Sequence, residues 1–313
     1  MSKASTPKKN DDVSSVLMVS LLFLVHTFTN SLFLSPVGGD VRCLFWDKET
    51  CSVDEAWIVT WFAYSHFHVA FLLSGFAYAS MGDPKLETTL SYIVACILFV
   101  YMAEGISSIT LLNSHLANVQ VVIFVLLLIA IAFFTAEQER NLPRFPLPRK
   151  LTTSSFDRRK KIPLASLAVG TQFLGSMFRA LEMVLGGGHS GYQGDMSRCE
   201  FRMNAWLDTG ACKLPNHNLI SFRFFAVNLS SVYQSIASMA MCDMMLVPGI
   251  LGAALRFLEP DQQKILLWFQ VLALLISQAM LAGEPGAMID DEQKQAGGIG
   301  NFISLLAATF GAL

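Results

Sequence analysis

The sequence predicts an all-α protein: a polytopic integral membrane bundle of about eight transmembrane helices, with two four-helix halves that resemble each other. Three observations predict it. Apolar residues gather in segments as long as a bilayer is thick. Basic residues gather on one side of those segments, and most cysteines on the other.

The 313 residues are 53% hydrophobic and 15% charged, with a mean hydropathy of +0.48. A soluble protein carries about 25% charged residues. Here charge is depleted from stretches of about 20 residues, the length that crosses hydrocarbon. The net charge of −2 says little, because in a membrane the placement of Lys and Arg is what informs. Met1–Asp12 is polar, and the first apolar run, Val13–Leu34, is too long for a cleaved signal, so it is expected to stay as an anchor.

The segments follow in order. Val16–Pro36 is the anchor, and Ala56–Met81 is rich in aromatics and carries "SHFHVAF" (65–71). Thr88–Leu112 is apolar apart from Glu104 and scattered hydroxyls, and Ala117–Ala136 is the most uniformly aliphatic. Pro163–Leu185 carries Arg179 and Glu182 towards its end. Leu219–Cys242 is polar along one face, and Ile265–Ala282 and Ala296–Leu313 close the chain. Met244–Leu258 is apolar but short and broken by Pro248-Gly249; it reads as a segment that enters and stops, or as a bent extension of the sixth span.

Charge placement tests the count. Lys3, Lys8 and Lys9 precede the first span; Arg140, Arg144, Arg149, Lys150, Arg158, Arg159, Lys160 and Lys161 follow the fourth. Basic segments stay cytoplasmic, so four spans between them fit, with the N-terminus inside. The other loops, Gly38–Glu55 and Gly186–Asn218, are poor in basic residues for their length. They hold Cys43 and Cys51, and Cys199 and Cys212. Two cysteines per outer loop read as disulfides in an oxidising compartment, paired within each loop or between the two. The protein then belongs in the plasma membrane or an endomembrane with an oxidising outer side. Asn228-Leu229-Ser230 fits a glycosylation pattern but falls inside a span.

The halves share features. "SPVGG" (35–39) and "VLGGG" (184–188) end a span; Arg42-Cys43 and Arg198-Cys199 open a two-cysteine loop; "ASMGD" (79–83) and "MAMCD" (239–243) follow an aromatic-rich span. Four spans plus four in one orientation is a parallel repeat, an arrangement found in transporters with the site at the interface. The chain then divides into a polar tail (1–12), a first half (13–137), a basic linker (138–162) and a second half (163–313).

His26 lies about ten residues before the first outer loop and His66 about ten after it, which places both roughly 15 Å deep. His26 can face His66 or His68, not both, since residues two apart diverge by about 200° around a helix. Three readings compete: packed core histidines bonded to carbonyls or hydroxyls, a proton or polar-solute site, and haem held by His26 with His66 or His68. No carboxylate at that depth completes a metal shell, and no cofactor is expected otherwise. Glu104, Arg179, Glu182 and Arg223 map to the outer half of the membrane. Arg179 and Glu182 share a helix face, and Glu104 has Arg179 or Arg223 as candidate partners, so the four form either a polar cavity or a structural network. Asn228, Ser231, Gln234, Ser235 and Ser238 recur at three- or four-residue steps and give the sixth span one polar face, which glues helices or lines a pathway.

No Walker A, HExxH, GxSxG or helix-opening GxGxxG motif occurs, and no lysine lies inside a span to carry retinal. The first functional reading is a transporter or channel for a small solute or ion with a polar site between the halves. The second is a non-catalytic accessory subunit of a larger membrane assembly. An intramembrane enzyme has only Glu104 and the histidines behind it. Expected partners are lipid and, on the second reading, other membrane subunits or further copies of the chain, but no nucleic acid. Thiol labelling of the unreduced protein is expected to reach none of Cys43, Cys51, Cys199 and Cys212. Free labelling of all four would overturn both the redox and the compartment reading.

Overall fold

Ser14 starts the first helix: its Oγ accepts from the Leu17 N–H at 3.2 Å and satisfies one of the donors that a helix N-terminus leaves open. From there the computed structural model describes residues 14–46, 48–112, 115–141, 162–185, 232–283 and 291–313. Every regular element among them is helical: α1 (Ser15–Leu34), a 3-10 segment (Pro36–Trp46), α2 (Val53–Ser80), α3 (Pro84–Leu112), α4 (His115–Asn141), α5 (Leu164–Leu185), α6 (Val232–Phe257), α7 (Pro260–Gly283) and α8 (Asp291–Ala312). Three stretches are long and apolar enough to cross a bilayer, Ser15–Leu34, Pro84–Ile106 and Leu116–Arg140, and the protein is membrane-embedded. Shorter apolar stretches lie at Leu164–Met177, Met245–Phe257 and Asn301–Ala312.

The outward faces are apolar. On α1, Met18, Leu22, Val25 and Leu32 are exposed; on α4, Val119, Val122, Leu126, Ile129 and Phe133. These recur at three-, four- or seven-residue steps, so each is one helix face, turned the opposite way from the apolar face of a soluble helix. Polar side chains go inward: Ser20, Thr27, Ser31, Thr60, Ser65, Thr88, Ser91, Thr135, Gln263 and Gln270 are buried. Most buried hydroxyls return to their own helix, as Ser20 does to the Val16 carbonyl at 2.9 Å, Ser31 to Thr27 at 2.7 Å and Ser80 to Phe76 at 2.7 Å.

α2 is the centre. Among its described side chains only Tyr78 is exposed. It packs against α1, α3, α6, α7 and the 3-10 segment. Within the first four helices α1 meets α2, α3 and α4, and α3 meets α4; within the last four α5 meets α6, α7 and α8, and α7 meets α8. α2 touches α6 and α7 across the middle, and α3 touches α6.

The sixth segment corrects the sequence reading. Met244–Leu258 is not a separate element: α6 runs unbroken from Val232 to Phe257 with Pro248 inside it. Only Leu258 and Glu259 separate it from α7, and Gln263 caps the exit by donating to the Leu258 carbonyl at 2.9 Å. The bent-extension alternative is therefore the one realised, while Leu219–Ser231 lies outside the described residues. The resemblance of "ASMGD" to "MAMCD" also fails structurally. Ala79–Asp83 ends α2 and turns into α3, whereas Met239–Asp243 sits inside α6.

Cys43 and Cys51 are joined, with Cα atoms 5.3 Å apart, so the first loop pairs within itself. Beside the bridge, Arg42 Nη1 donates to Thr60 Oγ1 at 3.2 Å and ties the loop to α2. Cys199 and Cys212 lie outside the described residues. At the opposite end, Gln262 of α7 donates to the Ala79 carbonyl of α2 at 3.0 Å, and Gln138 of α4 to the Pro84 carbonyl of α3 at 2.9 Å. Lys85, Arg140, Arg256 and Lys264 belong to this basic end.

Close helix approach depends on missing side chains at two places. A Cβ on Gly75 of α2 meets Leu266 Cα of α7 at 3.0 Å, and one on Gly311 of α8 meets Ala168 Cβ of α5 at 2.2 Å. Small residues let helices in lipid approach where no hydrophobic effect drives them together. Gly75→Leu and Gly311→Leu are each expected to cost about 1–3 kcal/mol, the usual penalty for overpacking. Gly170→Ala, where no atom lies within 4 Å, should leave stability unchanged or raise it by up to about 1 kcal/mol. Thermal melts of the three variants in detergent check this.

Candidate functional site

Among the described residues, ionisable side chains of the interior meet between α2 and α3. His66 lies midway along α2, and its Nδ1–H donates to the Phe62 carbonyl one turn earlier at 3.0 Å. That bond fixes the ring and turns Nε2 towards α3. There Glu104 Oε2 lies 3.8 Å away, with the two side chains only 5% and 3% exposed. The distance is that of an ion pair and is too long for a hydrogen bond. Around the pair the side chains are aromatic. The Tyr101 ring, one turn before Glu104 on α3, lies 4.5 Å from the His66 ring, and Phe62 packs against His66 edge-on at 4.3 Å.

His26 of α1 joins this group. Its ring meets Phe124 of α4 edge-on at 5.3 Å; Phe124 lies 5.8 Å from Tyr101, and Tyr101 reaches His66. His26 Nε2 is buried and makes no hydrogen bond among the described residues. One layer therefore contains a carboxylate, two imidazoles and a phenol drawn from three helices. One turn further along α1, Asn30 accepts from Gln120 of α4 at 2.6 Å and closes α1 against α4.

Helical phase separates the two α2 histidines. His66 faces Glu104 and Tyr101, whereas His68 is buried beside Tyr64, with ring centres 6.3 Å apart. His66 Nε2 is turned to Glu104, and the Tyr101 and Phe124 rings pack against the His66 and His26 imidazoles respectively. Among the described residues no group of three His, Cys, Asp or Glu side chains could hold a metal ion.

For Glu104 the sequence proposes Arg179 or Arg223 as partner; the structure places His66 beside it at 3.8 Å. The side chains of Arg179, Glu182 and Gln234 lie outside the described residues, although α5 and α6 extend over their positions. Arg223 and Asn228 lie outside them altogether.

A second polar group joins the last helices. Gln270 of α7 donates to Gln172 Oε1 of α5 at 3.1 Å, and Gln172 donates to the Ser304 carbonyl of α8 at 2.7 Å. Ser166 of α5 donates to Gln263 Oε1 at 2.7 Å. Gln172 and Tyr101 were missed by the sequence reading. The available signal for Tyr101 was its i,i+3 spacing from Glu104 on a helix.

Comparison with known protein families, with curated proteins and with solved structures finds no match. The site's chemistry therefore stands on its own geometry.

Removing a polar side chain from a buried contact costs about 1–3 kcal/mol. His66→Leu and Glu104→Leu are each expected to show that loss in detergent unfolding. The double variant should cost less than the two added together, by about 0.5–3 kcal/mol. Strict additivity would show that the two side chains do not interact.

Proposed function

We propose that the chain crosses the bilayer eight times, as two four-helix halves with the N-terminus cytoplasmic, and moves a small solute or ion across it. The buried His66–Glu104 pair is the observation that carries this reading. Ionisable groups inside a membrane are costly, and where they occur they usually serve a pathway or a proton relay. A purely structural contact between α2 and α3 needs no charge: Gln, Ser and Thr make such contacts throughout this bundle, as Thr135 of α4 does by donating to Ser91 of α3 at 2.9 Å.

The packing supports two equivalent halves. Adding four to each helix number turns α1–α2 into α5–α6, α3–α4 into α7–α8, α1–α4 into α5–α8 and α2–α3 into α6–α7. It also exchanges the α2–α7 contact with α3–α6. All of these pairs pack, as a rotation about an axis along the membrane normal requires. Parallel repeats related in this way occur among transporters. The ionisable layer lies within the first half rather than on the axis, beside α2, the helix that faces the second half.

The test is flux in proteoliposomes, with small neutral solutes followed by light scattering and inorganic ions by entrapped dyes. Wild type should transport at least one of them. Glu104→Gln should abolish that flux, and Glu259→Gln, at the exposed basic end, should leave it intact. Folded wild type that moves none of them points instead to an accessory subunit, and undiminished flux in Glu104→Gln removes the pair from the pathway.

A further inference from the structure

We infer that the amide seam between α5, α7 and α8 is a binding site for one small uncharged hydrogen-bond donor, a water molecule, held at Gln270 Oε1. Its chemistry does not depend on the transport reading; it follows from donor and acceptor arithmetic along the seam.

The seam starts at an atom whose role is fixed. A backbone carbonyl only accepts, and the Ser304 carbonyl of α8 takes its bond from Gln172 Nε2 of α5 at 2.7 Å. That bond settles which way the Gln172 amide is turned: its nitrogen faces α8 and its oxygen faces α7. There the oxygen accepts from Gln270 Nε2 at 3.1 Å. The Gln270 amide is settled in turn. Turning it over would oppose two amide oxygens, and turning both amides over would oppose the Gln172 oxygen to the Ser304 carbonyl. Gln270 Oε1 therefore lies on the far side of its amide carbon from Gln172. Counted from the carbonyl through two amides, the chain of bonds ends on an acceptor.

That acceptor is deep inside the bundle. Gln172 is 8% exposed and Gln270 2%. Gln270 follows Pro260 by ten residues, which places it about 15 Å along α7. The outward face of α7 carries Trp268, Leu272 and Leu275, whereas Gln270 lies with Leu266, Leu267, Ala273 and Leu274 on the buried side. Among the described residues Oε1 accepts no hydrogen bond. A buried amide oxygen without a donor bears the full cost of its lost hydration, and hydrocarbon has no donor to offer. Gln263, two turns earlier on the same face, shows the contrast. Its oxygen accepts from Ser166 at 2.7 Å and its nitrogen donates to the Leu258 carbonyl at 2.9 Å, so both ends of that amide are used.

The atom dictates the class of ligand. An amide oxygen repels an anion. A hard metal cation takes about six or more oxygen ligands, and the other amide groups at this level are N–H donors, which repel it. Among the described residues no group of three His, Cys, Asp or Glu side chains could hold a metal ion. A neutral donor remains. Water is the smallest, and the packed aliphatic side chains around Gln270 favour the smallest. It donates to Oε1, and its own oxygen can accept from the second N–H that each amide carries. Buried waters in proteins occupy sites of this kind, bonded to polar groups that the chain itself does not satisfy.

The test uses the full chain in proteoliposomes and starts with wild type, so it does not depend on a variant folding. Glutamine is labelled with carbon-13 at the side-chain carbonyl and alanine at the methyl, and magnetisation is passed from water protons by solid-state NMR. Transfer is expected to reach the Gln270 and Gln172 carbonyl carbons, as it reaches Gln138 at the basic end, and to miss the fully buried methyl of Ala70. In Gln270→Leu, which lacks the acceptor, the transfer to Gln172 is expected to be lost. If that variant does not fold, Gln270→Met is the substitute, with the same expected loss. Wild-type Gln270 that receives no transfer while Gln138 does overturns the inference. Transfer to Gln172 that persists undiminished without the Gln270 amide also overturns it, because the water would then be held elsewhere.

Discussion

In hydrocarbon a polar group must find its partner inside the protein, and this bundle is organised by which side chains can do so alone. Serine and threonine can. Thr27 bonds to the Phe23 carbonyl at 2.9 Å, Ser74 to Ala70 at 2.8 Å and Thr88 to Pro84 at 2.8 Å, all one turn back on their own helix. Such residues occupy the interior without dictating what lies opposite. Glutamine, asparagine, histidine and glutamate are satisfied mainly across helices. They join α1 to α4 through Asn30 and Gln120, α2 to α3 through His66 and Glu104, and α5 to α7 and α8 through Gln172. Each interhelical hydrogen bond in a membrane is worth only about 0.6 kcal/mol on average. Their larger effect is on register, since a helix slipped by a turn leaves several such groups without partners at once.

The position of α2 follows. It carries the most demanding interior residues, His66 and His68 among them, and among its described residues it has almost no outward face. A helix with polar groups on opposite sides cannot lie at the periphery, where one side meets lipid. Its neighbours supply what it lacks: α3 brings Glu104, and α7 comes close at Gly75. α4 is the reverse case. Its exposed Val, Leu, Ile and Phe residues face outward, and its polar residues Gln120 and Thr135 turn in towards α1 and α3.

The helical architecture was legible because spanning segments are long, uniform and separated by charge; α5 begins within one residue of its expected start and α3 ends on its expected residue. For the sixth helix the sequence left a stop and an extension both open, because Pro248-Gly249 looks like a stop. In a membrane a proline inside a helix is tolerated when neighbours absorb the freed carbonyl, so the local signal lost to its surroundings. The pairing of the first loop was one of two readings that spacing allowed. At the site, depth alone brought His26 and His66 to one level and phase alone separated His66 from His68. His66 beside Glu104 was not foreseen, because arginine was preferred as a counter-charge. Sequence reports composition along each helix but not the angular offset between neighbouring helices, and that offset places Glu104 beside a histidine.

The described interior is polar in two ways. Between α1, α2 and α3 it includes ionisable side chains, His26, His66 and Glu104, with Tyr101. The described contacts among α5, α7 and α8 use amides and a hydroxyl, Gln172 with Gln270 and Gln263 with Ser166. An amide contact holds helices together with a fixed number of protons and no change of charge, whereas imidazole and carboxylate groups can exist in forms that differ by a proton. α2 meets α6 and α7 as well as α1 and α3, so the helix that carries His66 is also the one through which the first four helices meet the last four.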